Sequence, residues 1–205
     1  MRQAELRRGV AHLRRTEPRL APAIRRHGTP PLRRSRNHFE SLAGSIVHQQ
    51  LSGHVAGRIL GRLSALAPGR SLPSPSALLA TPDEALRSAG LSRQKAAALR
   101  DLAAHYADGR LSSRRLRGLS DDEIGELLLA VRGIGPWTVD MFLLFALNRL
   151  DVLPIGDLGI RKGFQELFGL GELPDAAKME SLSRAWRPYR SLGSWYLWRI
   201  ADGGA

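Results

Sequence analysis

Cysteine is absent from the 205-residue chain. Its absence excludes disulfides, thiolate zinc sites and a cysteine-held iron–sulfur cluster. Long apolar runs are missing too. The longest, Met141 to Leu147, is far too short to span a bilayer, so no membrane partner is expected. The first fifteen residues, MRQAELRRGVAHLRR, are charged from the second position and contain no apolar stretch, so no secretory signal is expected. Strand signals are also scarce: β-branched and polar residues nowhere alternate for long. A hydrophobic content of 43% still suffices for a packed core and argues against wholesale disorder.

Basic charge is what the chain has in excess. The formal net charge is +12, and residues 1–36 hold eleven arginines against only Glu5 and Glu17. Arginine pairs recur at 7/8, 14/15, 25/26 and 33/34. Guanidinium forks match phosphate oxygens, so this concentration implies a polyanionic partner. The plainer reading is a set of solvated helix faces.

Most segments carry apolar residues at helical spacing. His38–Leu51 and His54–Ala67 read as two helices parted near Ser52-Gly53, and Leu72 to Ser76 as a connector. Thr81-Pro-Asp-Glu84 reads as a capping box that opens a short helix, ended by Gly90. Ser92 opens a longer amphipathic helix to about His105, with Ala96, Leu99, Leu102, Ala103 and Tyr106 on one face. Ser120-Asp-Asp-Glu123 is a second capping box, opening 124–131. Further helices are expected at 136–147, 158–168, 175–186 and 189–200. The prediction is all-α, roughly ten short helices without an internal repeat.

The stretch from Leu127 to Leu147 is the most informative. One helix ends at Val131, Arg132-Gly-Ile-Gly135 turns, and Pro136 starts the next helix. Gly133 and Gly135 permit positive φ and close backbone approach, while Ile134 is suited to plug between the helices. The N–H groups near Gly135, Trp137 and Thr138 form an anion site at a helix start, with Arg132 beside it, suited to one phosphate and blind to base identity. Outward carbonyls of Leu129, Val131 and Ile134 offer a place for a monovalent cation, sodium or potassium; no other cofactor is expected. A dinucleotide-binding reading fails, because no strand precedes the glycines and the third glycine is absent.

GIGPWT (Gly133 to Thr138) resembles the hairpin of the helix–hairpin–helix (HhH-GPD) DNA glycosylases. Three more runs resemble their 3-methyladenine DNA glycosylase II branch: SIVHQQLS from Ser45, LPIGDLGIRKG from Leu153 and WRPYRSLGSWYLWR from Trp186. The four runs lie in the family's order between about residues 38 and 200. The resemblance implies a two-lobed helical fold with its active-site cleft between the lobes. It implies a basic segment, 1–36, packing with the C-terminal lobe; a helical lobe, 37–147, with the hairpin at about 121–147; and C-terminal helices, 148–205. The implied activity is monofunctional excision of alkylated purines from double-stranded DNA in base excision repair. The partner is then DNA containing damaged bases, and the protein a cytoplasmic, nucleoid-associated monomer.

The family's catalytic aspartate falls on Asp157. A carboxylate there would stabilise oxocarbenium character at the sugar and orient water, although the residue also reads simply as a helix N-cap. Trp137 and Trp198 match the walls of a pocket for a flipped base; Trp186 and Trp195 read as structural. The wedge that fills the vacated space falls on Gln50 or Leu51, since leucine here stands one position later than in longer members. A plainer role for Gln49 and Gln50 is a buried polar pair joining two helices. Lyase-competent relatives carry a hairpin lysine where this chain has Trp137, and its only lysines are Lys95, Lys162 and Lys178. With 205 residues and a basic helical start, the additional mixed α/β domain of long members is not expected. Excision of another lesion, a non-catalytic hairpin DNA binder and a basic RNA-binding protein are the alternatives.

Overall fold

The computed structural model describes residues 2–67 and 71–203. The described residues are helical, with no strand. In chain order the helices are α1 (Arg2–Thr16), α2 (Ala21–His27), α3 (His38–His48), α4 (Gly53–Ala65), α5 (Pro75–Ala80), α6 (Asp83–Ser88), α7 (Arg93–Ala107), α8 (Ser113–Gly118), α9 (Asp121–Leu129), α10 (Pro136–Met141), α11 (Leu158–Phe168), α12 (Ala176–Leu182) and α13 (Arg190–Ala201). Short 3-10 turns occupy Pro18–Leu20 and Arg184–Trp186, and a π-helix occupies Phe142–Leu147.

Most helix starts are written locally. Asn37, Ser52, Ser74, Ser92, Ser112, Ser120, Asp157 and Asp175 each accept a backbone N–H of the following turn. The box at Ser120 closes in both directions: Glu123 N–H donates to Ser120 Oγ and Ser120 N–H donates to Glu123 Oε2. The box expected at Thr81 does not form. Thr81 Oγ1 donates back to the Ala77 carbonyl of α5, and Asp83 pairs with Arg100, so α6 starts at Pro82 without a side-chain cap. The cause is α5, which ends at Ala80 and offers Thr81 a closer partner; that helix lies partly in the stretch read as a connector.

The chain forms two compact units, one of residues 1–34 with 143–205 and one of 35–142. The seam cuts through the run expected as a single helix from Pro136 to Leu147. In the 35–142 unit, Phe39, Leu42, Ile46, Leu63, Leu99, Leu102, Ile124 and Leu128 form the core. In the other unit, α11 packs on α13, and glycine makes this possible. A Cβ on Gly163 would lie 2.4 Å from the Leu197 carbonyl oxygen, so only hydrogen fits. Behind them Trp186, fully buried, stacks on Phe164 at 5.3 Å with rings nearly parallel, an arrangement worth about 1 kcal/mol beyond the buried area. The basic α1 belongs to this unit. It buries Leu6 and Leu13 and sets Gly9 against Leu192 and Tyr189.

Candidate active site and DNA-binding hairpin

The site residues fall in both units, and each set is built differently. In the 143–205 portion the loop before Asp157 is stapled to the start of α13. Arg190, 9% exposed in its side chain, donates Nε to Asp151 Oδ1 at 2.8 Å and Nη2 to Asp151 Oδ2 at 3.1 Å. Glu180 and Arg187 extend this ion-pair network. Ser191 Oγ donates to the Arg149 carbonyl and accepts Val152 N–H, and Ser194 Oγ donates to the Val152 carbonyl. Bidentate charge-assisted bonds and a doubly used hydroxyl leave this loop little freedom.

Asp157 ends the loop, half-buried. Its Oδ1 accepts Ile160 N–H at 2.9 Å, which starts α11, and Trp198 Nε1–H, also at 2.9 Å. Two donors on one oxygen fix the plane of the carboxylate. Gly159 leaves room for this: a Cβ there would stand 2.9 Å from Trp198 Cδ1 and 3.1 Å from Asp157 Oδ1. The Trp198 ring in turn stacks on Phe145, centroids 5.5 Å apart and tilted 25°. Phe145 sits in the π-helix and is 43% exposed. Asn148, at φ 51°, ends that helix by donating Nδ2 to the Leu144 and Phe145 carbonyls. The aspartate thus lies beside an aromatic pair with one face toward solvent.

In the 35–142 unit the hairpin connects α9 to α10. Only Gly133 uses positive φ, at 79°, and a Cβ there would meet Ala98 Cβ at 2.9 Å. Gly135 is extended, at φ −107°, and open around its missing side chain. It serves instead as an N-cap without a side chain, so the first turn of α10 receives no side-chain cap. Ile134 is buried, as its plug role requires. Arg132 N–H donates to Asp101 Oδ2 at 2.8 Å, which pins the turn to α7 and leaves the exposed guanidinium as the part of Arg132 able to reach an anion. Thr138 is 2% exposed and its hydroxyl accepts from Gln49 at 3.4 Å, so its side chain faces inward and only its backbone remains for a phosphate.

The glutamine pair divides its work. Gln49 Nε2 donates to the Gly133 carbonyl at 2.8 Å, joining the turn after α3 to the hairpin. Gln50 is exposed at φ 56°, a left-handed conformation uncommon outside glycine. Leu51 follows, 36% exposed. The turn that carries them is held from below by Lys95, whose Nζ donates to the Val47 carbonyl at 2.6 Å and the Gln49 carbonyl at 2.7 Å. Desolvation lowers the Lys95 pKa from its ordinary value. A cavity of about 340 Å³ opens among Gln49, Gln50, Lys95, Arg132 and Gly133. Lys95, Gly159 and Phe145 escaped the reading of the sequence. The four-residue spacing of Gly159 and Gly163 on one helix face was the available signal for a close approach by α13.

Trp137 is 44% exposed at the start of α10. Trp186 is fully buried, in keeping with a structural role, and Trp195 packs edge-on against Tyr196. Of the three carbonyls suited to a cation, Val131 already accepts Ile134 N–H at 3.1 Å; no hydrogen bond to the Leu129 or Ile134 carbonyl occurs among the described residues. Uncharged carbonyl oxygens fit a monovalent ion better than a divalent one, which favours carboxylates. No group of His, Asp and Glu able to hold a metal occurs among the described residues. No described helix is long and apolar enough to cross a membrane.

Known proteins similar to this chain fall in one family. The model of the HhH-GPD superfamily base excision DNA repair proteins matches residues 43–188. DNA-3-methyladenine glycosylase 1 of Schizosaccharomyces pombe is 33% identical over 164 residues, covering 80% of this chain and 72% of that protein. The solved DNA-3-methyladenine glycosidase of Bacillus halodurans is 40% identical, with a TM-score of 0.84 over 94% of this chain and 88% of that one. The S. pombe 3-methyladenine DNA glycosylase in complex with abasic DNA superposes with a TM-score of 0.85 at 29% identity, over 95% and 97% of the two chains. A hairpin with a bare helix start, a helix-capping aspartate under an indole and these matches have one common explanation: the chain belongs to the HhH-GPD superfamily of base excision DNA repair proteins.

Proposed function

We propose that this chain is a monofunctional DNA glycosylase that excises alkylated purines from double-stranded DNA and leaves an abasic site. The observation that carries the reading is Asp157, a carboxylate fixed by Ile160 N–H and Trp198 Nε1–H beside the Trp198–Phe145 stack. An N3- or N7-alkylated purine is already cationic and leaves without prior protonation. What it requires is an anion near C1′ as positive charge develops on the sugar, and a water oriented for attack. Asp157 supplies the charge and orients the water. The exposed Trp137 and the half-buried Trp198 each offer an aromatic ring suited to stacking on an extruded base and attractive to a cationic one.

The hairpin holds a backbone phosphate through the backbone N–H groups of Gly135, Trp137 and Thr138 at the start of α10, with Gly133 in the turn and the Arg132 guanidinium beside them. A sodium or potassium ion on the Leu129, Val131 and Ile134 carbonyls would add positive charge at the same place. Gln50, rather than Leu51, fills the space of the flipped nucleotide. It stands at the tip of the turn in a strained conformation, and Lys95 and Gln49 support it from within. Lyase chemistry would need a free lysine amine at the hairpin. Trp137 occupies that position, Lys95 is committed to two carbonyls, and Lys162 and Lys178 lie exposed on α11 and α12.

Release of free base from methylated duplex DNA tests the reading, with wild type compared to Asp157→Asn. Asparagine keeps the Oδ1 acceptor, so the helix cap and the indole bond survive while the charge is lost. Release by wild type alone supports the proposal. Equal release by both variants would move the chemistry to another group.

A further inference from the structure

One strongly charged surface lies outside everything assigned so far. On α1, Arg7, Ala11, Arg14 and Arg15 follow one another at helical spacing and form one exposed face, with the half-buried Val10 at its edge toward the buried Leu6 and Leu13. This face borders an open groove of about 580 Å³ that Thr29 also lines. The loop carrying Thr29 is anchored. Tyr196 Oη donates to the Gly28 carbonyl at 2.6 Å, Gly28 turns at φ 65°, and burial raises the Tyr196 pKa, so the donor keeps its proton.

The charges in the groove have no internal counter-ion among the described residues. Among the described residues Arg7 and Arg14 make no ion pair, and Arg15 has only a long contact to His12 Nδ1 at 3.5 Å. Glu17, the nearest carboxylate along the chain to Arg14 and Arg15, is buried and pairs with Arg19 instead. Three exposed guanidiniums around an apolar floor of Val10 and Ala11, with a threonine opposite, make a poor site for a neutral ligand. They repel one another and gain when an anion with several oxygens enters.

We infer that the α1 groove is a second backbone-binding site for duplex DNA, which holds phosphates through Arg7, Arg14 and Arg15 independently of the hairpin. This rests on the proposal that DNA is the substrate, but not on the chemistry at Asp157. The groove reads no bases, so its contribution is to affinity and salt dependence, not to the choice of lesion.

The test is the affinity of the full chain for an undamaged duplex, measured as a function of sodium chloride. The variants are Arg7→Gln/Arg14→Gln/Arg15→Gln and a control, Arg114→Gln/Arg117→Gln/Arg184→Gln, which removes the same charge from exposed positions elsewhere. Each phosphate contact contributes about 0.9 to the slope of log affinity against log salt. The groove variant should therefore lose about 2–3 from the slope, and the control much less. Single-turnover excision at saturating enzyme should stay close to wild type, and an unchanged thermal midpoint would show that the fold is intact. An unchanged slope, or an equal loss in both variants, would overturn the inference. If wild-type protein releases no base while the groove variant still loses slope, the proposed function fails and the groove stands.

Discussion

The starts of α10 and α11 are the same backbone device used in opposite ways. Both follow a glycine-containing turn, and both present N–H groups with no partner inside the helix. At α10 the cap is Gly135 and no side chain covers the first turn. At α11 the cap is Asp157, whose carboxylate takes up Ile160 N–H and adds an indole donor. The bare start suits a charge that comes from outside, a phosphate. The filled start holds a charge of its own where the proposed reaction needs one. A helix terminus is therefore not a function by itself; the residue at the cap decides which kind of site it becomes.

Four substitutions break or sharpen this contrast, in falling order of effect. Asp157→Asn keeps the filled start but neutralises it. Excision should fall by about 10²–10⁴-fold, with little change in thermal midpoint; a large stability loss with normal excision would mean that the residue is only a cap. Gly133→Ala attacks the bare start from behind. A Cβ at φ 79° pressed on Ala98 costs about 1–3 kcal/mol in strain, and affinity for undamaged duplex should drop tenfold or more at constant salt. Trp198→Phe retains the ring stacked on Phe145 but removes the donor to Asp157. A hydrogen bond to a charged group is worth about 1.5–3 kcal/mol, so the expected result is roughly a tenfold or greater fall in single-turnover rate with DNA affinity unchanged. An equal fall in affinity would mean that the indole N–H acts through DNA binding and not through the carboxylate.

The smallest effect is expected at Ser120, a third kind of start, closed by its own capping box. The Ser120 hydroxyl and N–H hold the Glu123 carboxyl below its ordinary value of 4.5. A depressed carboxylate adds stability above that value and loses it as the pH falls through the folded pKa. The gap in thermal midpoint between wild type and Glu123→Gln should therefore be present at neutral pH and close in acid. A gap that persists in acid would mean that the carboxylate charge plays no part.

The difference between the three starts also marks how far the sequence could be read. Ser120-Asp-Asp-Glu123 predicted its box correctly because both partners lie within one turn. Thr81-Pro-Asp-Glu84 has the same pattern but failed, because α5 gave Thr81 an alternative acceptor and Arg100, from α7, captured Asp83. GIGPWT marked the hairpin, yet the pattern treats its two glycines alike. In the fold Gly133 turns left-handed, close against Ala98, while Gly135 stays extended with open space around it. The HQQL run pointed to the segment of the proposed wedge without ranking its members.

By itself the sequence determined the all-α class, most helix starts, the hairpin and Asp157 at the head of a helix. Each depends on residues within a turn or two of one another, where spacing and capping chemistry act directly. Tertiary structure decided what those elements do. It brought the Trp198 indole to Asp157 across 41 residues, Gln49 to Gly133 across 84, and Lys95 beneath the Gln50 turn. Such pairings follow from how helices pack, as the room that Gly159 and Gly163 leave for α13 shows for the first of them, and no local pattern encodes the partner that packing will deliver.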